Sequence, residues 1–332
     1  MRGKVQPQAG MFSYMAPKRR IPPQHPLRTI KSYADTALKG QLLIALYSVR
    51  SDRAFCEQLD YNLLFRWFLG MSLDDPGLDQ SNFSRLREPL VETDIARRFF
   101  DQVLKLAKSQ QLLVSEHFTV DSTLIESWAS LKSLKKKGGP PPKTGGDSSG
   151  MVDFTGERRT HATRESTTNP EAKPMRRDFW QPAKLSFAGH ALMDNRADLC
   201  ADLQITDVQS LSATVLLARQ WRKRVTISTL TADKGYYNRA FVALCEQSIR
   251  PHIARIASRR TPALDGRTTR HGSYALSQRH RKCIEEIFGW LKTAGGLRQS
   301  RFVRLERIQL YAYLAASAYH LLRMTRLAPL TT

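Results

Sequence analysis

The chain has 332 residues, 41% hydrophobic and 25% charged, which excludes wholesale disorder and leaves room for about two domains. Lysine and arginine number 52 against 30 acids, a formal charge of +22. So one-sided a surface points to a polyanionic partner, nucleic acid first, because a merely well-solvated surface mixes both signs more evenly. Cysteines 56, 200, 245 and 283 form neither a CxxC pair nor a zinc spacing, so no disulfide framework is expected and a reducing cytoplasm fits. The N-terminus lacks the order of a signal peptide. The longest uncharged apolar stretch, Ile308–Leu322, contains Gln309 and His320 and is too short to span a bilayer; it predicts a buried core helix and no membrane partner.

In chain order, residues 1–30 carry Pro17, Pro22, Pro23 and Pro26 among basic residues and predict an irregular arm. Ile30–Leu46 has a helical pattern. Ser51 is placed to cap a helix carrying Ala54, Phe55, Leu59, Leu63, Leu64 and Trp67, which Gly70 ends. After the turn Asp74-Asp75-Pro76-Gly77, a short helix follows from about Ser81. Helices around such a break fit a helix-turn-helix and an ordinary helical hairpin equally well. Ile95–Gln110 predicts another amphipathic helix.

After Leu112 the pattern changes. Ser115–Ile125 reads as a strand, and residues 133–181 hold Gly, Pro and Lys at a density that predicts a surface insertion. Strands are expected at Lys184–Met193 and Asp198–Thr206, a helix at Val208–Arg224, a strand at Thr226–Ala232 and a helix at Asn238–Ser248. A strand at Arg250–Arg255 and helices at Gln278–Thr293 and Leu305–Leu327 complete a mixed α/β order. Residues 252–282 contain eight basic residues and one acid, Asp265.

Three acids stand out. Asp121 lies in FTVDST, Asp233 ends TISTLTAD, and Glu285 lies inside RHRKCIEEIFGWLK. Acids at the carboxyl ends of strands converge at one edge of an α/β sheet, and three carboxylates in a basic cleft suit Mg²⁺. Spacing alone leaves other readings open. Asp121 and Asp233 are equally suited to capping turns, and Arg281 and Glu285 to a surface pair at i and i+4.

RKCIEEIFGWLK, with Arg281, Glu285 and Lys292, resembles the signature of DDE transposases of bacterial insertion sequences, in the subgroup named for its Tyr–Arg–Glu–Lys motif. DYNLLFRWFLG (60–70), FTVDSTLIESWASLK (118–132), RRTHATRESTTNPEA (158–172), KLSFAGHALMDNR (184–196), TADKGYY around Asp233 and DGRTTRHGSYALSQRHRK (265–282) resemble the same group in the same order. The resemblance implies an α/β fold, a ribonuclease-H-like mixed sheet with flanking helices, at 113–328. An all-helical DNA-binding domain would precede it at 1–112. It implies that Asp121, Asp233 and Glu285 hold two Mg²⁺ ions, with Mn²⁺ as a substitute, and that Arg281 and Lys292 hold phosphates. Arg270 and Lys282 extend that DNA contact, and Trp290 either stacks on a displaced base or packs in the core. The implied activity is binding of terminal inverted repeats, followed by DNA cleavage and strand transfer, by a homodimer on double-stranded DNA. The implied location is the bacterial cytoplasm, at the nucleoid. Two departures stand out. The motif tyrosine position holds Gln278, with Tyr274 nearby, and the segment between ADTALKG and QLLIALYSVRS is shorter than the group's. They keep open a defective copy that only binds DNA.

Overall fold

The computed structural model describes residues 17–33, 36–85, 87–113, 116–136, 164–176, 180–207, 212–223, 225–256 and 264–327. The first part of the chain is helical: α1 (Pro17–Arg20), α2 (Pro26–Tyr33), α3 (Thr36–Leu46), α4 (Asp52–Tyr61), α5 (Leu63–Leu69), α6 (Gln80–Arg85), α7 (Arg87–Glu92) and α8 (Ile95–Ser109). The expected irregular arm is corrected from residue 17 onward. Pro26 opens α2, where its missing N–H costs nothing, and Ile21, Leu27 and Ile30 are buried; residues 1–16 lie outside the described residues. The expected single run from Ser51 is two helices. Ser51 caps α4 through Ala54 N–H, and Asn62 both ends α4 and caps α5 by accepting from Leu64 and Phe65 N–H. Gly70, at φ 81°, closes α5 as expected.

The sheet follows: β1 (His117–Ser127), β2 (Leu134–Lys136), β3 (Arg164–Ser166), β4 (Lys173–Met175), β5 (Lys184–Asp194) and β6 (Cys200–Thr206). Then come α9 (Ser212–Arg222), β7 (Thr229–Ala232), α10 (Arg239–Glu246), β8 (Arg250–Ile253), α11 (Gly266–Arg270), α12 (Gly272–His280), α13 (Ile284–Lys292), β9 (Gln299–Ser300) and α14 (Leu305–Leu327). The expected insertion at 133–181 is corrected at its borders: β2 pairs with β3, β4 joins the edge of β5, and Asn169 and Ala172 are buried. Residues 137–163 of that stretch lie outside the described residues. The expected helix at Gln278–Thr293 begins earlier, at Gly272, and is broken by a 3₁₀ turn at Arg281–Cys283.

The strand order β6–β5–β1–β7–β8 is a ribonuclease-H-like mixed sheet. β5 is antiparallel to β1 and β6, while β1, β7 and β8 run parallel. Alternation along β1 divides the interior. Phe118 and Val120 face one cluster with Leu216 and Leu217 of α9 and Phe241 and Val242 of α10. Ile125 faces the other, with Ile287 and Leu291 of α13, most of α14 and the N-terminal helices. The stretch Ile308–Leu322 is the heart of α14, where every residue from Leu310 to Leu321 is buried. No helix among the described residues is long and apolar enough to cross a membrane. A buried ionic network ties the helical part to the sheet. Asp202 of β6, fully enclosed, pairs with Arg97 of α8 at 3.1 Å and Arg219 of α9 at 3.3 Å.

Candidate active site

The β1–β7 register pairs Val120 with Ala232, so Asp121, midway along β1, lies beside Asp233, which follows the last residue of the parallel strand β7 at that strand's carboxyl end. Such strand ends are where an open α/β sheet leaves a crevice. By alternation Asp121 shares a face with Thr123 and Ile125, the face that α13 covers. Glu285 lies exposed in the first turn of α13, close enough for its charge to act on Asp121.

Each aspartate also serves its local backbone. Asp121 Oδ1 accepts from Ser122 N–H at 2.7 Å, and Asp233 Oδ1 accepts from Gly235 N–H at 2.7 Å, capping a 3₁₀ turn. The turn-capping reading therefore holds for one oxygen of Asp233 but not for Asp121, which lies within β1, and the second oxygens take no hydrogen bond from a described residue. Burial pushes the Asp121 carboxyl up to about 6, the charges of Asp233 and Glu285 push the same way, and Ser122 N–H and Arg281 oppose them. The alternative ion pair between Arg281 and Glu285 does not form; instead Arg281 acts on Asp121, and its Nε is buried without an acceptor.

These observations bear on whether a divalent cation fits. A half-buried carboxylate crowded by two others has the hard oxygen donors, and the repulsion, that such a cation would satisfy. As they lie, no three carboxylate, histidine or cysteine side chains among the described residues form a closed metal-binding group. The donor chemistry of the three carboxylates fits a hard divalent cation.

The remaining expected residues fall in different places. Lys292 lies two turns along α13 from Glu285 and borders a small hollow with Thr123 and Gly189, so it stands on the acid-bearing face of β1. Lys282 is exposed in the 3₁₀ turn, and Arg270 is exposed in α11, its guanidinium 3.9 Å from where a Cβ on Gly266 would lie. Trp290 is half-buried, its ring 5.7 Å from that of Tyr319, so its packing is that of a core residue. Gln278, in the motif tyrosine's place, donates to the His252 carbonyl, and Tyr274 donates to the Ile253 carbonyl at 3.0 Å; both fasten α12 to β8.

Two groups escaped the sequence reading. Tyr236 lies within the electrostatic reach of Asp121 and Asp233, and its burial raises the phenol far above its ordinary range. Its signal was the aromatic pair that ends TADKGYY. Arg323 of α14 binds Ala197 O at 2.6 Å, Asp198 Oδ2 at 2.5 Å and Glu286 Oε1 at 2.9 Å, which locks α13 beside the β5–β6 turn. No spacing in the sequence announces that clamp.

Residues 34–89 match the family described as Transposase domain (DUF772), and residues 159–321 match the family described as Transposase DDE domain. The second match includes Asp233, Arg281, Glu285 and Lys292 but begins after Asp121, whose place beside them rests on the β1–β7 register. No curated protein and no solved structure matches the chain.

Proposed function

The chain belongs to the DDE transposases of insertion sequences, and from that premise we propose that it binds the terminal inverted repeats of its element, cuts at their ends and joins them to target DNA. The observation that carries this reading is the register placing Asp121 beside Asp233, with Glu285 and Arg281 acting on the same carboxyl. Asp121, Asp233 and Glu285 would hold two Mg²⁺ ions, or Mn²⁺ in their stead, and the ions would supply charge for the attacking and leaving oxygens of an in-line displacement. Arg281, with a buried donor awaiting an acceptor, and Lys292, on the same face as the acids, orient the scissile phosphate. In the first displacement the oxygen of water bonds to phosphorus and the 3′ oxygen leaves with a proton. In the second, the oxygen of that 3′ hydroxyl bonds to a target phosphorus, giving up its proton, and the target strand's own 3′ oxygen leaves with a proton. No bond to the protein forms in either step. Arg270 and Lys282 add exposed positive charge beside the site, and both ends are held by a homodimer on duplex DNA. Salt-sensitive phosphate contacts dominate the affinity.

The test is magnesium-dependent nicking of an inverted-repeat duplex. Asp121→Ala and Asp233→Ala are each expected to abolish nicking while leaving a DNA-bound complex. Nicking unchanged in the double variant would remove these acids from the mechanism. A second reading, a copy that binds DNA without cutting it, is favoured by the use of Gln278, in the motif tyrosine's place, as a backbone anchor. It requires shifted bands with or without Mg²⁺ and no nicks under either condition.

A further inference from the structure

Past the acids, β1 continues to Ser127 and delivers Trp128 to the surface, where its side chain is 69% exposed. The indole is held in place: Nε1 donates to the Gln299 carbonyl at 3.2 Å, and the Trp128 backbone N–H donates to Ser300 O at 3.1 Å. The ring borders a groove of about 570 Å³ whose opposite wall is the turn after α3, with Ser48 and Arg50. That wall is fixed as well, because Ser48 donates to the Ala294 carbonyl at 2.9 Å and Arg301 donates to the Arg50 carbonyl. The flanking acids are matched, Asp52 by Arg301 at 3.8 Å and Glu126 by Lys184 at 2.8 Å. Arg50, which lines the groove and is exposed, has no ion-pair partner among the described residues, so the rim keeps a positive surplus.

We infer that this groove binds unpaired DNA, one base stacking on the Trp128 indole while Arg50 holds a phosphate beside it. An indole face needs a free base face, which a duplex hides between its steps and an unpaired strand presents. A protein partner would require a contiguous exposed apolar patch, whereas of the groove's large apolar side chains Val49, Leu297, Phe302 and Tyr311 are buried and the indole alone is exposed. Trp128 lies seven residues along β1 from Asp121, roughly 23 Å at strand rise, or about seven stacked nucleotide steps of roughly 3.4 Å. The groove therefore takes a strand leading away from the reacting phosphate. This rests on the DNA-processing reading above, yet it is measurable without catalysis.

The test uses the full chain, free of divalent metal, with a labelled oligo-dT of about twelve nucleotides, within the span of known single-strand sites. Trp128→Ala is expected to weaken oligo-dT binding roughly tenfold, as loss of one stacked base does. Trp128→Phe is expected to keep most of the affinity, and blunt-duplex affinity is expected to stay unchanged in both variants. Oligo-dT affinity untouched by Trp128→Ala, an equal fall for blunt duplex, or binding of oligo-rU in place of oligo-dT would each overturn the proposal. Loss of the transposase reading would appear elsewhere, as nicking that survives Asp121→Ala.

Discussion

Single side chains at the candidate site do two things at once. Asp121 and Asp233 each tie one oxygen to a neighbouring N–H, which fixes the carboxylate plane and leaves the other oxygen for a ligand. Glu285 has no such anchor; its position depends on α13, and α13 is held by Arg323 through Glu286. Replacing Arg323 by Met removes hydrogen bonds to a carbonyl and two carboxylates. It is expected to lower unfolding stability by about 2–3 kcal/mol, the scale of charged hydrogen bonds lost from a partly enclosed site. At a temperature where the variant remains folded, nicking is expected to fall while inverted-repeat affinity holds; denaturant titration and band-shift assays read the two effects. Stability equal to the parent chain would show the clamp to be idle. The acids themselves were legible in the sequence because each sits in a motif several residues long. Arg323 was not, since its partners lie 37 and 125 residues away and only tertiary packing joins them.

At the scale of elements, boundaries diverged from expectation wherever a local cap overruled periodicity. Asn62 divides one hydrophobic run into α4 and α5 because its side chain captures two N–H groups that would otherwise stay in a continuous helix. The 3₁₀ turn at Arg281–Cys283 has a larger consequence. In an unbroken α-helix, Arg281 and Glu285 differ by roughly 40° about the axis and pair; three steps at roughly 120° each bring the difference to roughly 100°. The arginine is thereby released from Glu285 to act on Asp121. Periodicity carries no sign of that break, and the strands at the borders of the 133–181 stretch were equally hidden, because pairs three residues long leave too little alternation to read. Gly40, inside α3, illustrates close packing. A Cβ there would meet Phe83 of α6 at 2.8 Å, where that ring also stacks 4.9 Å from Phe55. Gly40→Ala, which raises intrinsic helix propensity, is expected instead to destabilise the chain by about 1–3 kcal/mol through overpacking. A raised denaturation midpoint would refute this.

Over the whole molecule, buried titratable groups set how stability responds to acid. Burial depresses His190 and His252 to about 4 and His320 to about 3. In the unfolded chain histidines titrate near 6.5, so the stability they allow is complete above that value and is lost as pH falls and the unfolded state takes up protons. Asp121 and Asp194, both raised to about 6, act oppositely, since the folded chain protonates them first. Three histidines against two carboxyls leave a net uptake of about one proton on unfolding. Stability should therefore decline by about 1.4 kcal/mol per pH unit, roughly 3 kcal/mol between pH 7 and pH 5, in metal-free urea titrations; a flat profile would show that these groups are not closed off from water. The fold class was legible from the strand and helix order, but the merging of its two parts was not. α14 is packed by α2, α3, α7 and α8 from the start of the chain, and by β6 and α13 from the sheet. The earliest helices thus bury their apolar faces against the latest one. A polypeptide released by the ribosome before residue 305 leaves those helices exposed, and partial products become prey for proteases rather than a surviving half.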